Sequence, residues 1–322
     1  MLTIWCNTQF TGAPLESLNE GVKPHKLIFP KDLSASVLIA AGPDPALNSA
    51  DIAFGQPDPA SIMQSPSIRW VHLTSAGYTR YDTDEFRKFV SSRGIIVTNS
   101  SSVYAEPCAE HALAFMLTDA RALGHARDMQ RTDHSWESLP LRSKSRLMLR
   151  KKVVMLGFGA IGRRLGELLS PFSVEIVALR RNPKGDEGIP VITEDQLQQA
   201  LGQADHVINI LPDSPRTRQF VTAQMFASMK PGAVFYNIGR GITVDQDALL
   251  ANLRSGHIAA AYLDVTDPEP LPPSHPLWGE PGCFITPHTA GGFDTEFEVL
   301  AHHFLENLRQ YQAGSELSDR VM

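Results

Sequence analysis

Short apolar segments alternate along the chain with amphipathic stretches and with turns rich in Gly, Pro and Asp. Residues 83–92 (TDEFRKFVSS), between two of these segments, have the spacing of a helix. This alternation predicts an α/β fold built on mainly parallel sheets. In the first hundred residues the predicted strands are 2–5, 26–29, 37–40, 51–54, 69–73 and 94–99.

The middle of the chain begins with a long helical pattern. Residues 107–130 predict one helix, because Pro107 suits a first turn and apolar residues follow at helical spacing. Residues 131–146 are polar and irregular and predict a loop.

A second α/β block follows. One helix is predicted between Asp245, a suitable N-cap, and Gly256, and another over about 294–312. The predicted strands of this block are 151–156, 174–179, 206–211, 233–238, 258–265 and 283–287.

Composition narrows the class of protein. A chain of 322 residues, 43% hydrophobic and 20% charged, predicts two globular domains. The net charge of −6 argues against a nucleic-acid partner. Three cysteines far apart predict neither a disulfide framework nor a metal site. No segment reaches the roughly 20 apolar residues of a membrane span, and no signal peptide is visible at MLTIWCNTQF, so we expect a cytoplasmic protein.

A glycine-rich loop, GFGAIG, lies between a predicted strand and a predicted helix. Gly157 permits a tight turn, Gly159 permits close approach of a pyrophosphate, and Gly162 permits close packing of helix and strand. Glycines also occur in ordinary turns, and methyltransferases that bind S-adenosylmethionine share such loops, but the strand–loop–helix context favours a dinucleotide. The other candidate cofactor-binding residues of the loop are Phe158, Ala160 and Ile161.

Two arginines follow the next predicted strand. Arg180 stands 23 residues after Gly157, where an NAD-binding unit carries an acid for the ribose 2′-hydroxyl. A guanidinium there matches the 2′-phosphate of NADP, and Arg181 and Lys184 add positive charge. The sequence therefore predicts NADP(H), with NAD(H) as the alternative cofactor if the arginines only form a solvated turn.

Four polar residues follow later predicted strands. Arg240 stands between two glycines after AVFYNI, Asp264 ends IAAAYLDV, Glu269 lies in DPEP, and His288 follows CFITP. Ligands of open α/β sheets bind beyond the carboxyl ends of the strands, so we expect these side chains at one site.

At these motifs the chain resembles the D-2-hydroxyacid dehydrogenase family, which includes glyoxylate/hydroxypyruvate reductases. The resemblance is dense over about 150–290, through GFGAIG, INILPDSPRTR, NIGRGITVDQDAL, YLDVTDPEPLP and ITPHTAG. It is looser over the first hundred residues, through HLTSAGYTRYD.

The resemblance implies hydride transfer from a nicotinamide to a small 2-oxo acid. His288 would donate the proton to the forming alkoxide, Glu269 would orient the imidazole, and Arg240 would bind the substrate carboxylate. The backbone N–H groups of Ser75, Ala76 and Gly77 would also bind that carboxylate. The cofactor contacts implied are Asp264 at the nicotinamide amide, Leu211, Pro212 and Thr217 at the adenosine side, Ile238 and Gly239 at the nicotinamide, and His288 and Gly291 nearby.

Two departures from the family pattern stand out. Arg180 replaces the expected acid, and Pro107 and Cys108 occupy positions where small or aliphatic residues are usual. Three aromatic residues are candidates either for the substrate pocket or for packing; they are Tyr78, Tyr104 and Trp136.

The resemblance also implies an architecture of two doubly wound parallel-sheet domains. A Rossmann cofactor domain, 102–288, would be inserted into a flavodoxin-like substrate domain formed by 1–101 and 289–322, and the family's dimers imply a homodimer. The expected function is an NADPH-preferring reductase of small 2-oxo acids, such as glyoxylate or hydroxypyruvate, to D-2-hydroxy acids. The alternative is a non-catalytic, nicotinamide-sensing protein similar to the family's corepressors.

Overall fold

The computed structural model describes residues 1–322 apart from 35, 38, 40, 41 and 184. The predicted strand 37–40 and the predicted contribution of Lys184 therefore fall wholly or partly outside the described residues. The chain divides into a terminal unit, Met1–Tyr104 with Phe293–Met322, and a central unit, Ala105–Gly292. The predicted boundaries at 101 and 288 lie three and four residues from these bounds.

Strands and helices alternate in both units. The strands are β1 (Thr3–Cys6), β2 (Lys26–Ile28), β3 (Ile52–Gly55), β4 (Trp70–Leu73), β5 (Ile96–Thr98), β6 (Lys152–Leu156), β7 (Glu175–Leu179), β8 (Val191–Ile192), β9 (His206–Asn209), β10 (Ala233–Asn237), β11 (Ile258–Leu263) and β12 (Cys283–Ile285). The helices are α1 (Gly12–Gly21), α2 (Pro59–Gln64), α3 (Asp84–Arg93), α4 (Ala105–Ala120), α5 (Leu123–Arg131), α6 (Ser138–Lys144), α7 (Ala160–Leu169), α8 (Glu194–Leu201), α9 (Ala223–Ser228), α10 (Gln246–Arg254) and α11 (Glu296–Ala313).

The terminal unit contains a parallel sheet of order β2-β1-β3-β4-β5, the order of a flavodoxin-like fold. The central strands β3 and β4 are buried on both faces, as expected for a parallel sheet with helices on either side. Phe304 of α11 stacks on Phe54 and Trp70 of the sheet, with ring centroids 4.1 and 5.4 Å apart. The last residues of the chain pair with the edge strand β5, through an antiparallel bridge between Thr98 and Arg320.

The central unit contains a parallel sheet of order β12-β11-β10-β9-β6-β7-β8. Counted within the unit, this is the Rossmann order 3-2-1-4-5-6 with one further strand at the edge. The apolar faces of α4 and α7 cover one side of the sheet, whereas α8, α9 and α10 cover the other. The predicted fold class, two parallel-sheet α/β domains of which one is Rossmann, is confirmed.

Several predicted elements differ from those observed. The predicted helix 107–130 is two helices, because Ala122 adopts a left-handed conformation with φ 52° and separates α4 from α5. The predicted loop 131–146 contains the short helix α6.

The predicted N-cap of α10, in contrast, is confirmed, since the Asp245 side chain accepts a hydrogen bond from the Ala248 N–H. The sequence analysis missed α1, α2, α8, α9 and β8.

No helix within the described residues is both long and apolar enough to span a membrane. The same residues contain no cluster of three or more His, Cys, Asp or Glu side chains suited to hold a metal ion.

Candidate active site

The glycine loop lies between β6 and α7, at the carboxyl end of the central sheet. Gly157 has φ 96°, a conformation that L side chains rarely adopt, and a Cβ there would lie 3.3 Å from the Ile210 carbonyl oxygen. Gly159 is the N-cap of α7, and a Cβ added to it would meet nothing within 4 Å. Open space therefore adjoins the first helical turn, whose backbone N–H groups lack helical acceptors and favour an anion. This loop fits the pyrophosphate of a dinucleotide.

Close packing explains the third glycine of the loop. A Cβ on Gly162 would lie 3.1 Å from the Phe158 ring and 3.4 Å from the Gly157 carbonyl oxygen. Any larger residue would therefore push α7 away from the loop that it must support. The other loop residues, Ala160 and Ile161, form the first turn of α7.

Arg180 leaves β7 and lies against the glycine loop. Its Nε donates to the Asn182 carbonyl at 3.0 Å, and its Nη1 donates to the Phe158 carbonyl at 3.2 Å. Its Nη1 also lies 3.3 Å from Oε1 of Glu187, a buried acid that the sequence analysis did not identify. Arg181, in contrast, is exposed.

Arg240 is held by a backbone that only glycine neighbours allow. A Cβ on Gly239 would lie 2.7 Å from the Leu211 carbonyl oxygen, and one on Gly241 would lie 1.9 Å from the Thr266 carbonyl oxygen. The Arg240 carbonyl accepts hydrogen bonds from Asn237 and Thr243. The two glycines that flank Arg240 therefore let its backbone pack closely against the loops that carry Leu211 and Thr266.

Glu269 and His288 form a hydrogen-bonded pair, 2.9 Å from Oε2 to Nδ1. Burial raises the pKa of Glu269, but the hydrogen bond from His288 and the charges of His288 and Arg240 outweigh burial and hold the pKa below its usual value. His288 has φ 53°, and its backbone N–H donates to the Asp264 carbonyl. Because Nδ1 faces the carboxylate, Nε2 is left to act on another group.

Asp264 is a buried acceptor in the same loop cluster, with only 2% of the residue exposed. Its carboxylate accepts hydrogen bonds from the Thr286 hydroxyl and from the N–H groups of Thr289 and Ala290. It thereby fixes the segment that carries His288.

Two residues near Asp264 were not assigned a role from the sequence. The His111 Nε2 lies 3.1 Å from the Thr286 hydroxyl and 3.7 Å from Asp264 Oδ1, and burial lowers the pKa of His111. Burial and the Asp264 carboxylate raise the pKa of the Cys108 thiol to about 12. Both side chains come from α4. Their spacing of three residues, which places them on one face of the helix, was the only feature of the sequence that could have identified them.

The remaining cofactor candidates lie after β9, β10 and β12 of the central sheet. The Thr217 hydroxyl donates to the Pro212 carbonyl at 2.5 Å and closes the loop after β9. Ile238 is buried, and the Gly239 N–H donates to the Asn237 side chain. Residues of these loops that the sequence analysis proposed as cofactor contacts are Leu211, Pro212, Thr217, Ile238, Gly239 and Gly291.

The proposed carboxylate-binding loop belongs to the terminal unit. Asn99 Nδ2 donates to the Ala76 carbonyl at 2.6 Å, and the Ser75 hydroxyl donates to the Gly77 carbonyl at 2.6 Å. Their carbonyl groups are thus engaged, whereas the N–H groups of Ser75, Ala76 and Gly77 have no acceptor among the described residues. Three successive N–H groups without acceptors in the described part of the chain are available to bind an anion.

The three aromatic candidates lie in different settings. The Tyr104 hydroxyl lies 2.9 Å from the Thr74 carbonyl and 2.8 Å from Glu296 Oε1, next to the 75–77 loop. Burial raises the pKa of Glu296 despite the hydrogen bond with Tyr104. Tyr78 packs against the core of the terminal unit. Trp136, between α5 and α6, is 94% exposed.

The central unit thus brings Arg240, Asp264, Glu269 and His288 to one end of its sheet, next to the glycine loop. Such a set can bind an anionic group with an arginine and transfer a proton from an imidazole oriented by a carboxylate.

Comparison with known proteins identifies the family to which the chain belongs. Residues 113–290 match the model described as "D-isomer specific 2-hydroxyacid dehydrogenase, NAD binding domain". The chain is 33% identical to the glyoxylate reductase/hydroxypyruvate reductase of Mus musculus over 258 residues, which cover 78% of this chain and 77% of the mouse protein. It is 31% identical to the glyoxylate reductase of Aeropyrum pernix over 258 residues, covering 79% and 76% of the two chains.

A solved structure with the same fold contains a nicotinamide cofactor. It is a D-isomer specific 2-hydroxyacid dehydrogenase from Xanthobacter autotrophicus Py2 in complex with NADPH and MES, with 26% sequence identity and a TM-score of 0.80. The alignment covers 100% of this chain and 98% of the other. The chain therefore belongs to the D-isomer specific 2-hydroxyacid dehydrogenase family, as an NAD(P)-dependent oxidoreductase.

Proposed function

We propose that the protein is an NADPH-preferring reductase that converts small 2-oxo acids, glyoxylate or hydroxypyruvate among them, to D-2-hydroxy acids. The observation that carries the proposal is the Glu269–His288 pair near Arg240, at the same end of the central sheet as the glycine loop. The relatives named glyoxylate or hydroxypyruvate reductase support the substrate class.

In this proposal bound NADPH supplies the hydride, and each remaining step belongs to residues of this chain. His288 donates a proton from Nε2 to the forming alkoxide, because Glu269 fixes the ring through Nδ1. Glu269, its pKa lowered, stays ionised at neutral pH and stabilises the charged ring. Arg240 binds the substrate carboxylate and polarises the ketone.

The cofactor is held, in this proposal, by the glycine loop at its pyrophosphate and by Arg180 and Arg181 at its 2′-phosphate. Asp264 accepts a hydrogen bond from the nicotinamide amide. The N–H groups of Ser75, Ala76 and Gly77, which lack acceptors among the described residues, bind the substrate carboxylate.

We further propose a homodimer formed through the central unit. Support for this interface comes from the segment 123–149, which exposes several large apolar side chains that a partner subunit would cover. They are Leu123, Trp136, Leu139, Leu147 and Leu149. Light scattering after size exclusion should give twice the mass of the chain.

We place the enzyme in the cytoplasm, since its three cysteines are unpaired.

The test of the function measures NADPH and NADH oxidation at 340 nm with glyoxylate and hydroxypyruvate. NADPH oxidation should be favoured, Arg240→Ala should raise KM for the 2-oxo acid, and His288→Ala should lower kcat by about 100-fold or more. Exposed His302 provides the matched control, since His302→Ala should leave both constants unchanged. Wild-type kcat in His288→Ala would contradict the assignment of the proton donor.

A further inference from the structure

We infer that Glu187 sets how strongly this enzyme discriminates NADP(H) from NAD(H), by competing with a 2′-phosphate for the guanidinium of Arg180. The inference rests on the proposed function in one respect, namely that Arg180 binds the 2′-position of the cofactor. No sequence rule for dinucleotide sites points to Glu187, which lies seven residues beyond the position of the usual acid.

Glu187 is a buried carboxylate directed at Arg180. Only 4% of its side chain is exposed, its Oε1 lies 3.3 Å from Arg180 Nη1, and its Oε2 accepts a hydrogen bond from the Gly185 N–H at 2.9 Å. A carboxylate with so little access to water is strongly disfavoured unless cations and donors compensate its charge. Arg180 and the Gly185 N–H both supply such compensation, so Glu187 and a phosphate would use the same guanidinium.

The contacts of Arg180 show what remains for a phosphate. Nε is used by the Asn182 carbonyl, and Nη1 is shared between the Phe158 carbonyl and Glu187. Nη2 has no acceptor among the described residues. A phosphate would meet one nitrogen of the guanidinium, whereas an unengaged arginine presents two parallel donors.

The position of Glu187 is fixed by its neighbours in the chain. Arg163 of α7 donates from Nη1 to the Asp186 carbonyl at 2.9 Å, and its Nη2 lies 3.5 Å from Asp186 Oδ1. The guanidinium of Arg163 also lies over the Phe158 ring, 5.7 Å from its centroid. Segment 185–187 is thus attached to the glycine loop and to α7, which keeps the carboxylate next to Arg180.

Charge determines which cofactor is affected. The 2′-phosphate of NADP carries a charge of about −1.5 to −2 at neutral pH, whereas the 2′-hydroxyl of NAD carries none. Glu187 repels the 2′-phosphate of NADP and partly neutralises Arg180, but it has little effect on the uncharged 2′-hydroxyl of NAD. Removal of its charge should therefore strengthen the binding of NADP(H) alone.

Glu187→Gln tests this, because it removes the charge, keeps the size and can still accept from Gly185. We expect the Kd for NADPH, measured by nucleotide fluorescence without substrate, to fall roughly tenfold, which corresponds to about 1.4 kcal/mol. The Kd for NADH should change less than twofold. Asp186→Asn is the matched control, since it removes an equal charge from an adjacent, exposed carboxylate and should shift the ratio of the two Kd values far less.

The same variants in an Arg180→Ala background separate this inference from the proposed function. There Glu187→Gln should no longer favour NADPH. If Arg180→Ala weakens NADPH but Glu187→Gln weakens it too, or shifts both cofactors equally, Glu187 only orients the arginine and the inference is wrong. If Arg180→Ala leaves both Kd values unchanged, the assignment of Arg180 to the 2′-phosphate fails, and the inference fails with it.

Discussion

Gly241→Ala should disable the active site although it leaves every polar side chain in place. The added Cβ would lie 1.9 Å from the Thr266 carbonyl oxygen and 2.6 Å from the Asp267 N. Carbon and oxygen atoms approach no closer than about 3.3 Å, so the two backbones must separate by more than 1 Å. One of these loops carries Arg240 and the other leads into Glu269.

The magnitude follows from this displacement. A shift of about 1 Å in a catalytic group costs about 100-fold in rate, so kcat/KM should fall by at least that factor, or about 2.7 kcal/mol of transition-state stabilisation. Overpacking of a tight backbone contact should also lower the free energy of unfolding by about 1–3 kcal/mol.

The assay combines NADPH oxidation at 340 nm with urea unfolding. Gly166→Ala in α7 is the matched control, because a Cβ there would meet nothing within 4 Å. That variant should keep full activity and gain about 0.5–1 kcal/mol of stability. Wild-type kcat/KM in Gly241→Ala would refute the argument that the glycine is required by the contact between the two loops.

Three further predictions follow. Tyr104→Phe should lower the free energy of unfolding by about 1 kcal/mol and raise KM for the 2-oxo acid, because the Thr74 carbonyl and the Glu296 carboxyl group lose the hydroxyl that lies between them, next to the 75–77 loop. An unchanged KM would exclude a role in this loop. Burial raises the pKa of Asp319, but hydrogen bonds from His303 and Ser102 outweigh burial and hold the pKa below its usual value. The ionised carboxylate therefore stabilises the fold above about pH 4, and this contribution is lost as the pH falls through the lowered pKa. Asp319→Asn should therefore be less stable by about 1–2 kcal/mol at pH 7 and equally stable in acid, as measured by urea unfolding. Burial raises the pKa of the Cys6, Cys108 and Cys283 thiols to about 12, so iodoacetamide at pH 8 should alkylate the native protein slowly and the unfolded protein at all three cysteines, as counted by mass spectrometry.

Structural features that depend only on a short stretch of sequence could be predicted. The glycine loop and the polar residues after apolar segments depend on local chain geometry, so their positions at the end of the central sheet could be inferred. The α8 helix also carried a local signal that was missed, since Thr193 and Gln196 form a capping box.

Features that depend on tertiary packing were not predictable. Ala122 is a strong helix former, yet it is buried in a left-handed conformation between α4 and α5. Glu187 meets Arg180 only because residues 185–187 lie against α7 and the glycine loop. The contact of Gly241 with Thr266 joins loops after two different strands, and no spacing in the sequence reveals it.

The terminal unit is built from two segments, Met1–Tyr104 and Phe293–Met322, which are separated in sequence by the whole central unit, and this has a consequence for biosynthesis. Residues 105–292 form a contiguous unit, so the central sheet can close while the rest of the chain is still being made. The terminal unit must wait, because α11 covers Phe54 and Trp70 and the last four residues pair with β5. Until those residues are synthesised, the sheet of β1–β5 lacks this apolar cover and the partner of its edge strand, so we expect this half of the enzyme to be the more prone to aggregation.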